Sequence, residues 1–173
     1  MSANVLVDYF LKIDGVIGES SDSKFPEWIQ LQAWQWAQEN AGRWGAGSGG
    51  GAGKVEMQDF EFRMLVNKAS TKLFLMCATG EHIKNSQLVC RKAGSADPFL
   101  TITFENCLVS SYRTLGNMPL DNIHNDKVNI VSPVDIIKIN FSGITYEYRE
   151  QKTNGELGAT IKSGYDLIHN KRI

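Results

Sequence analysis

At 173 residues the chain has the length of one domain and can bury roughly 70% of its unfolded surface. Its net charge of -1, with 21% charged residues, excludes non-specific nucleic-acid binding as the main function. It has no run of about 18 apolar residues, so no membrane-spanning helix is expected. The opening "MSANVLVDYFLKIDG" lacks a basic n-region, and Asp8 interrupts any apolar core. The chain is therefore expected to be made in the cytoplasm and to leave, if it leaves, by a route without a cleaved signal. Cys77, Cys90 and Cys107 are odd in number and widely spaced, which predicts free thiols in a reducing compartment rather than disulfides or a metal site.

In chain order, Val5, Val7, Tyr9, Leu11 and Ile13 alternate with Leu6, Asp8, Phe10 and Lys12, predicting a strand over residues 4–13. Residues 15–26 are polar and rich in turn formers, so they read as a surface loop. From Trp28 to Gln38 a second strand puts Ile29, Leu31 and Ala33 on one face and Gln30 and Gln32 on the other. The phase then slips, placing Trp34 and Trp36 on the buried face with Gln35 between them, as a β-bulge would. The outer face is expected to be polar but uncharged. Residues 42–53 hold seven glycines and can neither pack nor keep a regular backbone, so they read as an extended excursion.

Val55 to Val66 alternates again, with a slip before Phe60 and Phe62. Ser70 as N-cap, a stripe of Leu73, Phe74 and Cys77, and Gly80 past the end predict a helix of about nine residues that must dock on a sheet. Strand signals return from Gln87. Leu100, Ile102 and Phe104 share a face, and Leu108 to Arg113 continues that strand or starts the next. Residues 114–133 form a polar connection that is mobile or has a role of its own. A strand from Val134 to Gln151 slips at Gly143 and continues with Ile144, Tyr146 and Tyr148. The last strand is expected over residues 159–170. The whole is a single mainly β domain, 1–173, with one short flanking helix. Slips inside long strands imply the strong curvature of a barrel or tight sandwich.

No catalytic constellation is found. Gly45, Gly47 and Gly50 satisfy a dinucleotide fingerprint, but a strand follows them where a helix N-terminus is needed. "SGGGAGKV" fails a phosphate-binding loop at Ser48 and Val55. His82, His124 and His169 have no zinc spacing. Cys77 lies on the apolar stripe, where a buried inert thiol outweighs a nucleophile paired with His82. Asp59, Glu61 and Arg63 read as a solvated row. Trp34 and Trp36 are assigned to the core with Phe60 and Phe62; the rival is a monomeric β-sandwich binding module for a carbohydrate or protein ligand, with the two Trp as a sugar-binding platform. No cofactor and no metal are expected.

The order of motifs nevertheless resembles a known family. "FLKIDGVIGES", "AWQW", "GSGGGAGKVEMQDFEF", "KASTKLFLMCATGEHI", "LVCRKAG", "VSS" at 109–111 and "SGYDLIHNKRI" resemble, in this order across essentially the whole chain, the Hcp family of type VI secretion inner-tube proteins. The resemblance implies two packed antiparallel sheets forming a β-barrel, and six copies closing into a ring. Rings stack into a tube within a contractile sheath and baseplate, under a VgrG-type spike, with small effectors chaperoned in the lumen. The tube leaves the cell with each firing, reaching the extracellular space or a target cell. It further implies that Gln35, where relatives often carry Ser, faces the lumen with Gln30 and Gln32. Gly45, Gly47, Gly49, Gly50, Gly51, Gly53 and Lys54 would belong to a loop that reaches the next ring. No nucleic-acid partner, membrane insertion or C-terminal toxin domain is expected.

Overall fold

The computed structural model describes residues 6–40, 55–93, 95, 97–116, 132–152 and 156–173. The expected segments 42–53 and most of 114–133 lie outside these residues. Twelve strands and one helix are described, and every strand pairing is antiparallel.

β1 (Val7–Ile13) buries Leu11 and Ile13 in the main core, and it sits between β7 (Ile83–Lys92) and β2 (Ile29–Leu31). β8 (Leu100–Leu115) is the longest strand, and its two halves serve different neighbours. Leu100 to Cys107 pairs with β7 on one edge, and Leu100 to Glu105 pairs with β10 (Gly143–Gln151) on the other. Leu108 to Leu115 pairs with β9 (Val134–Asn140). From β9 the ladder continues through β6 (Phe60–Leu65) to β3 (Ala33–Gln35). Only Gln32 separates β3 from β2, and its N–H donates to the Arg63 carbonyl at 2.8 Å. The circuit β1–β7–β8–β9–β6–β3 thus returns to β2 through the backbone at Gln32, not through a ladder. It surrounds Phe60, Phe62, Phe104, Leu11, Met64 and Ile102, all fully buried. β11 (Leu157–Asp166) and the two-residue β12 (Lys171–Arg172) extend the first sheet beyond β10.

The phase slips have specific local causes. The slip at Gln32 is the exchange of β1 for β6 as partner. The slip before Phe60 separates β6 from β5 (Val55–Met57), which pairs instead with β4 (Gln38–Asn40) as a small two-stranded ribbon. The segment 134–151 is two strands, β9 and β10, which lie end to end along β8 and are broken at Phe141 and Ser142. A further slip, unseen in the sequence, falls at Asn106. Its φ of 50° moves burial from Phe104 to Cys107 within one strand, and Asn tolerates this left-handed conformation better than most residues. The last strand ends at Asp166, not at 170, and β12 turns back on it.

The helix α1 (Lys68–Thr79) starts two residues before Ser70. Asn67 is the N-cap: its side chain accepts from the Ala69 N–H at 2.8 Å, while Ser70 Oγ accepts from the Asn67 N–H at 3.0 Å. The buried stripe is Ala69, Ser70, Leu73 and Met76; Cys77 is half-buried and Phe74 is 58% exposed, against the expected stripe. Phe74 lies edge-on to Tyr112, 5.9 Å between centroids. Gly80 caps the end in the left-handed region, as expected.

Residues 15–26 do more than cover surface. The loop folds back so that Gly18 donates to Glu27 and Ser20 to Trp28, and Phe25 is buried against Phe10 and Val89 on the outer side of β1. A Cβ at Gly18 would stand 2.3 Å from the Trp28 carbonyl oxygen, so only glycine fits this approach.

Replacing the cap is the direct check on the helix boundary. Asn67→Ala is expected to lower stability by about 1 kcal/mol, read as a lower urea midpoint with unchanged slope.

Candidate functional site

Two surface features stand out. The first is a polar row on the outer face of β3, β6, β9 and β8. Ladder register sets Gln35 opposite Glu61, Glu61 opposite Lys138, and Lys138 opposite Ser111. Gln35 Nε2 donates to Glu61 Oε1 at 2.8 Å, and Lys138 Nζ stands 3.5 Å from Glu61 Oε2. Asp59, just before β6, accepts from Ser110 Oγ and from Asn140 Nδ2. Gln35, Trp36, Asp59, Glu61 and Lys138 line a shallow groove of about 430 Å³. The face expected to be polar but uncharged therefore carries both signs of charge, because β6 and β9 contribute residues that a reading of one strand omits. Gln30 is exposed but stands opposite Phe10 on the outer side of β1, apart from this row. Gln32 is half-buried at the junction between the sheets.

The second feature is an open groove of about 1190 Å³ of mixed chemistry, in which Trp36, Met57, Ile144 and Tyr146 meet polar residues such as Lys162 and Arg172. Its origin is the unequal width of the two sheets. Ile144, Tyr146 and Tyr148 pair with Phe104, Ile102 and Leu100, whose side chains are buried, so all six point to the core side. Ile144 is covered, but Tyr146 and Tyr148 are each 42% exposed and Ile161, opposite Tyr148, is 67% exposed. Sequence alternation puts these residues on the correct face but cannot show that the opposing sheet stops short of them.

Trp36 sits at the boundary of the two features, with Trp34 two residues before it. Both are half-buried against the core. Trp34 meets Tyr9 edge-on at 6.3 Å and Phe60 at 6.3 Å, and Trp36 tilts against Phe141 at 6.5 Å. Trp36 Nε1 is buried and has no hydrogen-bond partner among the described residues. Phe60 and Phe62 are fully buried and stacked, with centroids 5.8 Å apart.

The sequence gives little sign of the Arg91 cluster. Arg91, 8% exposed, joins Asp22 of the loop to Asp8 of β1, and its guanidinium lies over the rings of Phe10 and Phe25. Hydrogen bonding to Arg91 holds the Asp22 carboxyl below its ordinary range. Phe10, an aromatic residue on the supposed outer face of β1, is the one local hint. Elsewhere, His82 is exposed, His169 bonds Asp166 at 2.7 Å, and His124 lies outside the described residues. Among the described residues no three His, Cys, Asp or Glu side chains are grouped as metal ligands would be. The element that follows the glycines is the strand β5. Burial pushes the thiols of Cys90 and Cys107 up to about 12.

The fold defines the class: a mainly β protein of antiparallel sheets with one flanking helix, whose core-side face on β10 and β11 is left partly exposed. A family model described as "Type VI secretion system effector, Hcp" matches residues 10–148. The chain is 34% identical over 167 residues to protein hcp1 of Pseudomonas aeruginosa, covering 95% of this chain and 97% of that protein. The solved structure of Hcp1 from Salmonella typhimurium aligns with a TM-score of 0.76 at 34% identity, over 96% of this chain and 99% of that one. A solved type six secretion system protein aligns with a TM-score of 0.84 at 29% identity, over 97% and 100%. The chain belongs to the Hcp family, and is a tube protein of type VI secretion.

Thiol burial gives a simple check on the packing. In native buffer iodoacetamide is expected to label Cys77 and to spare Cys90 and Cys107 until the chain is unfolded, as read by peptide mass mapping.

Proposed function

We propose that the chain closes into six-membered rings that stack into the secretion tube and carry small effectors in the lumen. The observation that carries this reading is the uncovered core-side face of β10 and β11. Tyr146, Tyr148 and Ile161 are ordered by their ladders yet exposed, and a monomer gains nothing by leaving such area wet. A second copy fills it in a head-to-tail contact whose rotation closes, which also covers the outer edge of the first sheet. In this arrangement Gln35 and its row face the lumen, where a hydrated surface lets cargo pass without sticking. Gln32 is assigned to the seam of the same wall, whereas Gln30, on the outer side of β1, lies apart from it. The glycines of 42–53 and Lys54, which lie between β4 and β5 in sequence, are assigned to contact with the adjacent ring. A contractile sheath, a baseplate and a VgrG-type spike are the tube's partners, and the subunit leaves the cell with the tube.

Light scattering coupled to size exclusion tests the ring. The expected mass is six times the 19.3 kDa chain. Tyr148→Glu buries a charge in the contact and is expected to shift the population to monomers with unchanged circular dichroism. A monomer at every concentration would favour the monomeric binding module instead.

Cargo contact is tested separately. Gln35→Arg is expected to keep the hexamer and change which effectors are retained, read by co-purification and export; an unchanged effector profile would remove Gln35 from the lumen wall.

A further inference from the structure

The polar row has a neighbour with different chemistry. Two residues along the strands, ladder partners run Ala33, Arg63, Ile136 and Arg113. Residues paired in a ladder share a face, so Arg63 and Arg113 point the same way as Gln35, Glu61 and Lys138, with Ile136 between them. Two strand spacings put their backbones roughly 10 Å apart.

The charges on this face are not equally available. Asp59 uses one carboxylate oxygen for Ser110 and the other for Asn140. Glu61 uses one for Gln35 and turns the other to Lys138. Both carboxylates are therefore occupied from within. Arg113 is exposed and Arg63 half-buried, and neither has an ion pair or side-chain hydrogen bond among the described residues. The face thus offers solution mainly guanidinium groups that lack acceptors, although the chain as a whole carries a charge of -1.

We propose that this face binds an acidic polypeptide whose carboxylates engage Arg63 and Arg113. The proposal rests on the reading that the face lines the tube, and it gives the cargo a chemical class. A guanidinium fork matches a carboxylate in two parallel hydrogen bonds, and the apolar Ile136 between the forks lets a side-chain stem pack there. Single-stranded nucleic acid suits the face less well. Its readers interleave cations with aromatic rings that stack bases, whereas Ala33, Ile136 and Ser111 beside the cations supply none, and Trp36 at the groove's rim is half-buried and tilted against Phe141. In a closed ring the arginine pair recurs in every subunit, so one acidic segment meets several pairs and gains avidity.

The test uses the full chain and a short fluorescein-labelled poly-glutamate, with poly-lysine and oligothymidine as comparison probes, followed by anisotropy at low and high salt. Poly-glutamate is expected to bind best. Arg63→Gln combined with Arg113→Gln is expected to weaken that binding at least about fivefold, the order for losing exposed charge contacts in more than one subunit. Glu61→Gln removes the anion that occupies Lys138 and is expected to strengthen it, so the proposal does not depend on one variant's folding. Undiminished poly-glutamate binding in the double variant, or tighter binding of poly-lysine, would overturn the proposal. Oligothymidine binding as tight as poly-glutamate would overturn it too and assign the face to nucleic acid. Size exclusion on the same samples separates the two readings. Hexamers that ignore poly-glutamate sink only the cargo class, whereas monomers that bind it through the arginines sink only the ring.

Discussion

Side chains on a strand alternate with a period of two, and the rest of this structure follows from that constraint. A strand that leaves one sheet for another must gain or lose a residue, or its buried set turns to solvent. The chain meets this requirement in three ways. At Gln32 the second strand exchanges β1 for β6, so Ile29 and Leu31 point inward before the break and Trp34 after it. At Asn106 a single left-handed residue resets β8 so that Cys107 and Val109 take over from Phe104. Between β9 and β10 the reset takes a two-residue break, with Phe141 buried in the gap. All three adjustments occur where the chain passes from one sheet to the other, and together they bend ten strands around one core.

The same constraint explains which features could be read in advance. Alternation within an element is local, so Leu100, Ile102 and Phe104, the inward Trp34 and the outward Gln35 are legible from residue types alone. The Asn106 reset is not, since Asn is common in strand ends and turns and nothing nearby distinguishes a left-handed one. The helix start is ambiguous for a similar reason. Asn67 and Ser70 are both good caps, and the choice depends on Ala69 being buried against the sheet, which is a tertiary fact. Arg91 illustrates the widest gap. Its partners Asp8 and Asp22 are 83 and 69 positions away, and only the folded loop brings them together.

The candidate site divides along the same line. The alternation of Tyr146 and Tyr148 with Glu147 gives their face, but their exposure is set by where the second sheet stops, and no local pattern encodes the width of a sheet. The polar row is likewise a property of a rung. Gln35, Glu61, Lys138 and Ser111 are scattered over the sequence and become neighbours through register alone. A strand read alone shows three glutamines and suggests a neutral wall; the rung adds an anion and a cation from the adjoining strands.

Trp36 connects the two features. It lines both the larger groove and the polar one, and it directly follows Gln35, the residue that holds Glu61. Its ring leans on Phe141, the residue that fills the break between β9 and β10, so its position depends on the same reset that curves the sheets. Its Nε1 is buried without an acceptor among the described residues, an arrangement that costs on the order of 1–3 kcal/mol when nothing compensates it. The larger groove and the polar row therefore meet at consecutive residues of one short strand end, and a change at Trp36 reaches both.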